Sequence, residues 1–272
     1  MELLKTHSFF DLSTLSFGDL LRKYQQVWKI VPDIREMCYE LLEKAERLPH
    51  SFRDFQRPLQ ETVVIHNGEV HRSGFEILGG DASKGNFRVK IKGVETTDAT
   101  VLFAGCVIWD GRVSLGKGVV IEPTALIKGP TVIGNYTEVR QGAYVRGKCI
   151  VGNHCVVGHT TEMKNSIMMD GAKAGHFAYI GDSILGQDVN LGAGVKLANL
   201  KMNRKAVKIK LLDEEIDTGL QKLGAIVGDG SELGCNSVTN PGVLMGPHSL
   251  VWPGVLVPGG YYPPNSVISS RG

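Results

Sequence analysis

The stretch Lys173–Asp182 reads KAGHFAYIGD and places a histidine, His176, between glycine-loosened backbone and an aromatic. An imidazole titrates near neutral pH, so it can serve as a proton acceptor in catalysis or as a metal ligand. A histidine in such a run can also be a satisfied structural residue. The neighbours that would decide between these roles depend on how the rest of the chain folds.

The chain has 272 residues, 42% of them hydrophobic and 21% charged, which fits one large or two moderate globular units. Its formal charge of +2 gives no reason to expect nucleic acid or a membrane surface as partner. The five cysteines (Cys38, Cys106, Cys149, Cys155 and Cys235) are odd in number and contain no CxxC, which argues against a disulfide framework or a cysteine-rich zinc site. The opening MELLKTHSFFDLS lacks the apolar core of a signal peptide. No run approaches the roughly 18 apolar residues of a membrane span, so a cytoplasmic location with reduced thiols is expected. Glycine is abundant at 34 residues and aromatics are few at 7%, a balance that suits tight turns around a core of small aliphatics.

Three stretches with different grammar follow one another. Residues 1–60 read as two amphipathic helices, packed on the rest of the chain or on a partner. The first starts at a capping-box-like Ser16-Phe-Gly-Asp19 and carries Leu20, Leu21, Tyr24, Val27 and Trp28 on one face. Pro32 is expected to break it, Asp33 to cap the second, and Leu48-Pro49 to end that one. Residues 61–100 read as short alternating strands with a turn at Asn67-Gly68.

From about residue 101 to 268 the chain keeps a period of six. Leu115, Ile121, Ile127, Ile133, Val139, Val145, Val151, Val157 and Met163 recur at that step. A slim residue stands two places before each, including Cys149 and Cys155. Neither a helix at 3.6 nor a strand at 2 has this beat; short strands wound into a three-sided parallel β-helix do. The register slips after Met163 and resumes at Leu185, Leu191 and Leu197, then again from Val227 to Val257. Residues 198–224 are charged and lack the repeat, as a loop protruding from one corner would.

A hexapeptide solenoid of this kind resembles the left-handed β-helix acyltransferases. Over residues 127–260 the runs VRQGAYVRG, GHTTEMKNS, KAGHFAYIGDSILGQDVNLGAG and ANL look like the acetyltransferase domain of the bifunctional enzymes that acetylate glucosamine 1-phosphate and then uridylylate it. The likeness is to the archaeal-type sugar-phosphate version in particular. It implies an acetyl-CoA-dependent N-acetyltransferase acting on an amino-sugar phosphate, with no metal needed for acyl transfer. His176 would be the general base and Glu162 would orient it. Asn199 would reach the site from the 198–224 loop. Arg140, Lys164 and Tyr179 would hold phosphate and sugar, and Asn190 would contact the substrate. Ala193 and Cys235 would lie along the CoA path. The family works as a trimer with sites between adjacent prisms.

Departures from its bacterial members are Leu200 in place of Tyr, Cys235 in place of Ser, and an Arg140-to-Lys164 spacing one hexapeptide longer. Residues 1–100 lack a nucleotidyltransferase's phosphate loop, so no uridylyl transfer is expected. The alternatives are O-acetylation of a sugar or nucleotide sugar, a zinc site of the carbonic-anhydrase type using the H-x4-H pair His154 and His159, and a non-catalytic trimeric scaffold.

Overall fold

A computed structural model describes residues 2–45, 48–211 and 214–270. The six-residue beat winds the chain into three parallel sheets. We name them face one (from Thr100–Leu102 to Val267–Ile268), face two (Val107–Ile108 to Leu256–Val257) and face three (Val113–Leu115 to Gly260–Tyr262). Faces two and three hold eight strands each among the described residues. Face one has eleven, of which the first two form an antiparallel hairpin, Val63–His66 with Glu69–His71. Each coil pairs with the next in parallel register, as Val139 with Val157 and Val145 with Met163.

The predicted inward positions fill one continuous core. Ile121, Ile127, Val139, Val145 and Val157 are fully buried, and so are the slim Val119, Ala125, Thr137, Cys149 and Cys155. Each buried aliphatic is worth roughly 1.5–3 kcal/mol. The corner between faces three and one is stitched by side chains. The Lys117 amide donates to Asn135 Oδ1, the Asn135 amide to Asn153 Oδ1 and the Asn153 amide to Asp170 Oδ1, each at 2.8 Å. The glycines beside this ladder are there for space. A Cβ on Gly134 would stand 2.6 Å from the backbone of Gly152 in the next coil.

The coil length changes at one corner. Ile133 pairs with Val151, but Val151 pairs with Met168 and Met168 with Leu185, so two successive coils are one residue short. The shortening falls between faces two and three, where Met163 to Met168 and Ile180 to Leu185 span five residues instead of six. One coil later the same corner opens into residues 198–224.

The N-terminal segment packs on the solenoid itself. Helix α1 (Gly18–Arg22) is followed by a 3-10 turn at Val27–Lys29 that runs into helix α2 (Ile30–Lys44). The expected first helix is therefore only five residues long, and its end residue Phe17 makes no side-chain cap. Pro32 does not separate two helices. It sits in the first turn of α2, where the absent N–H has no intrahelical partner to lose. Ile34, Met37 and Cys38 of α2, with Phe9 and Trp28, form a second core with Ile150, Ile167, Ile184, Ile226 and Leu244, the mid-strand residues of face three.

The stretch 198–224, expected to protrude, instead folds back onto this second core. It forms a hairpin of Lys208–Leu211 and Glu214–Asp217 and buries Val207, Ile209 and Leu223 there. Residues 212 and 213 of that stretch lie outside those described. A three-stranded sheet, Phe75–Gly79, Arg88–Ile91 and Val94–Thr96, covers Val101 and Val120 at the start of face one with Phe87, Val89 and Ile91.

Candidate functional site

The shortened corner gathers a polar cluster. Met163 faces the core, so its successor Lys164 turns outward at the end of face two. Its ammonium pairs with Asp182 Oδ2 at 2.8 Å, with the two side chains 19% and 8% exposed. Asp182 also accepts from Asn165 Nδ2 at 2.8 Å and, through a short hydrogen bond, from Asn199 Nδ2. Asn199 Oδ1 in turn faces the Tyr179 hydroxyl at 3.4 Å. Asp182 holds φ at +48°, a left-handed conformation that Asp and Asn adopt more readily than other side chains. The five-residue turn and the acid at its apex thus explain each other. Burial, more than the neighbouring charges, pushes the half-buried Tyr179 hydroxyl above its ordinary pKa, which keeps it a proton donor at neutral pH.

The corner between faces one and two presents the other half. The strand Lys173–His176 ends there, and Phe177 takes the turn at φ +53°. Successive coils are tied by backbone bonds. The amide of Phe177 donates to the carbonyl of His159, Gly194 to His176, Asn236 to Ala193 and Gly254 to Cys235, at 2.8–3.0 Å. His159, His176, Ala193 and Cys235 therefore stack on one edge of the prism. The His176 side chain is exposed, as is Cys235, while the other four cysteines are buried. Phe177 is 55% exposed and packs edge-on against His159, with ring centroids 5.3 Å apart. Below His176 the next two coils place Ala193 and Cys235 on this edge with Gly192, Gly194 and Gly234 beside them, a small-residue track that ends at Trp252 and Pro253.

Lys164, Tyr179 and Asn199 thus converge, while His176, Ala193 and Cys235 share the adjoining edge. Three expected residues stand differently. Glu162 lies beneath Tyr144 and above Tyr179 on face two, and its carboxylate pairs with Arg146 at 2.7 Å rather than with His176. Arg140 lies on an earlier coil at the end of face one and pairs with the buried Glu138 at 2.7 Å. It belongs to the junction with the 61–100 sheet, where Glu138 also accepts from Ser83. Arg146 is the arginine in column with Lys164, because its amide bonds to the carbonyl of Met163. Asn190 is exposed on face one, paired with Lys173 and Glu232, away from the Asp182 cluster.

Sequence reasoning passed over Asp182 and Arg146. Asp182 was visible as the last residue of KAGHFAYIGD, and the one-residue slip marks its corner. Arg146 shows no such signal; on composition alone it belongs to a solvated face. His154 and His159 do not form a ligand pair. His154 takes the corner turn before the face-one strand Val156–His159 and His159 ends that strand, and among the described residues no group of three or more His, Cys, Asp or Glu is placed to hold a metal ion. Each Nδ1 already lies 2.9–3.1 Å from a backbone carbonyl, that of Ser83 for His154 and of Gln141 for His159.

The ion pairs Lys164–Asp182 and Arg146–Glu162 thus stand on face two, with the exposed imidazole of His176 at its other corner. Residues 127–218 match the family described as GMPPB C-terminal domain. A bifunctional sugar-1-phosphate nucleotidylyltransferase/acetyltransferase of Sulfurisphaera tokodaii is 37% identical over 155 residues, half of this chain and 39% of that protein. The chain thus spans about two fifths of that relative's length. The uncharacterized acetyltransferase YaiX of Escherichia coli (strain K12) is 30% identical over 169 residues, 62% of this chain and 72% of YaiX. A mutant perosamine N-acetyltransferase from Caulobacter crescentus aligns at 18% identity and a TM-score of 0.24, over 63% of this chain and 50% of its own.

Proposed function

Because this chain belongs to the hexapeptide-repeat acetyltransferases, we propose that it moves the acetyl group of acetyl-CoA onto the amine of a phosphorylated amino sugar. The observation that carries this reading is the exposed His176 on the same edge as Ala193 and Cys235, one corner away from the Lys164–Asp182–Asn199–Tyr179 cluster. CoA would run along this edge, its pantetheine arm beside Ala193 and the exposed Cys235.

The cluster supplies what a sugar phosphate needs. Lys164 and Arg146 give charge-assisted bonds to the phosphate, and Tyr179 and Asn199 hydrogen-bond sugar hydroxyls. His176 takes the proton from the acceptor nitrogen as that nitrogen forms its bond to the thioester carbonyl carbon. The C–S bond then breaks, and CoA leaves as a thiolate that takes up a proton. A positioned base of this kind contributes roughly 10²–10⁴-fold in rate.

Arg146 holds Glu162 in the free protein. An arriving phosphate competes for the same guanidinium, which releases Glu162 to turn toward the histidine on the next coil. The edge that carries His176 lies open on a single protomer; the working form in this reading is a homotrimer, as the family likeness implies, with a second copy covering that edge. Release of free thiol from acetyl-CoA, measured against a panel of amino-sugar phosphates, tests the reading. Wild-type protein should turn over at least one of them and His176→Ala should not. Equal turnover by the mutant removes the role given to His176.

A further inference from the structure

The cations of face two continue well beyond the cluster at its shortened corner. Trp109, Lys128, Arg146 and Lys164 each end a face-two strand on successive coils. The amides of Trp109, Lys128 and Arg146 donate in turn to the carbonyls of Ile127, Val145 and Met163. Coils stack at about 4.8 Å, so Trp109 lies roughly 14 Å above Lys164 along one straight column. The Lys128 ammonium sits 4.8 Å from the Trp109 ring centre and 5.4 Å from that of Tyr144. The Arg146 guanidinium carbon lies 5.8 Å from the other aromatic contact, Tyr144. Lys128 has no carboxylate partner among the described residues, and Trp109 is 39% exposed.

We infer that this strip extends the acceptor site, and that the acceptor is a nucleoside-diphosphate-linked amino sugar rather than a sugar monophosphate. The inference rests on the acetyltransferase reading of the same site. The sugar lies at Lys164, Tyr179 and Asn199. The two phosphates lie along Arg146 and Lys128, beside Tyr144, and the base stacks on Trp109. The match is one of charge and length. A sugar monophosphate carries one phosphate and would use only the lower cations. A diphosphate offers anionic oxygens along the column and ends in a flat base, the group that an exposed indole receives best. The same aromatics beside Lys128 would otherwise be ornaments of a solvated sheet, affecting stability without affecting ligand choice.

The test measures binding directly, with UDP and GDP as probes and inorganic phosphate as the reference, by titration calorimetry. At least one nucleoside diphosphate should bind ten or more times tighter than phosphate. Trp109→Ala and Lys128→Gln should each weaken it at least tenfold while keeping the wild-type circular dichroism. Trp109→Phe should restore most of the affinity. Catalytic efficiency toward a nucleotide-linked amino sugar should likewise exceed that toward the corresponding monophosphate, and Trp109→Ala should collapse that ratio. Equal binding of phosphate and nucleotide, or unchanged nucleotide binding in Trp109→Ala, overturns the extension even if CoA release from monophosphates is intact. Nucleotide binding without CoA release from any amino-sugar acceptor overturns the acetyltransferase reading instead, and with it the assignment of the strip to an acceptor.

Discussion

Replacing Asp182 with Asn removes one charge from the centre of the shortened corner and little else. The new side chain has the same shape and tolerates φ +48°, so the turn is kept. The carboxylate now serves Lys164, Asn165 and Asn199. An amide has one oxygen to offer them and brings an NH2 that faces donors. A hydrogen bond to a charged group contributes about 1.5–3 kcal/mol, and an unsatisfied buried donor adds a similar cost. Lys164 can swing toward solvent, being 19% exposed, which limits the loss. The net destabilisation is about 2–4 kcal/mol, or a Tm lower by roughly 4–8 °C for a chain of this size. Asp182→Ala loses the same contacts and must also hold a left-handed backbone, which costs roughly 1–2 kcal/mol more, so the order of stability is wild type, Asn, Ala. Acceptor KM should rise in both variants because Lys164 and Asn199 lose their common anchor. Calorimetric melting and steady-state thiol release read the two effects. A Tm for Asp182→Asn within 1 °C of wild type, taking 1 °C as about the smallest shift such scans resolve, would refute the account of this corner.

His176→Ala should cut kcat by roughly 10²–10⁴-fold at unchanged Tm, since the imidazole is exposed and holds no core contact. Under native conditions a thiol reagent should label Cys235 alone of the five cysteines, and acetyl-CoA should slow that labelling if the track beside Ala193 is its path. Burial pushes the Cys106 and Cys149 thiols up to about 12. Both are raised above their unfolded values, so the stability they contribute is full below about pH 9 and is lost as pH climbs toward 12. Urea melts of a Cys106→Ala/Cys149→Ala variant should therefore show a shallower alkaline decline than wild type. Light scattering should give a mass three times that of one chain; a monomer that keeps full turnover would refute the shared cleft.

The solenoid was legible because its core positions obey one rule. From Ile121 to Met163 every sixth residue is large and every intervening inward place is slim, and all of these are buried. The N-terminal helices were legible as elements but not in their bounds. Pro32 reads as a breaker, yet the first turn of α2 has a place for it. Residues 198–224 lack the six-step because Val207 and Ile209 answer to a second core, built by α2 and the outward isoleucines of face three, which no local pattern announces. Of the residues that motif likeness names, Lys164, Tyr179 and Asn199 lie together at the shortened corner, His176 lies on the adjoining edge and Arg140 on another face. Arg140 and Arg146 both follow a valine at the end of a strand, and only the pairing of coils says which one stands above Lys164.

The antiparallel hairpin at the head of face one has a consequence for solubility. A parallel solenoid has two unlike ends, and an uncapped one invites another copy to continue its winding into a filament. Here the first coil strand, Thr100–Leu102, is covered by Val63–His66, which runs against the direction of the coils, and the outermost strand Glu69–His71 carries an exposed carboxylate. The edge of Thr100–Leu102, which the last coil of another copy would need in order to continue the winding, is already taken by this hairpin.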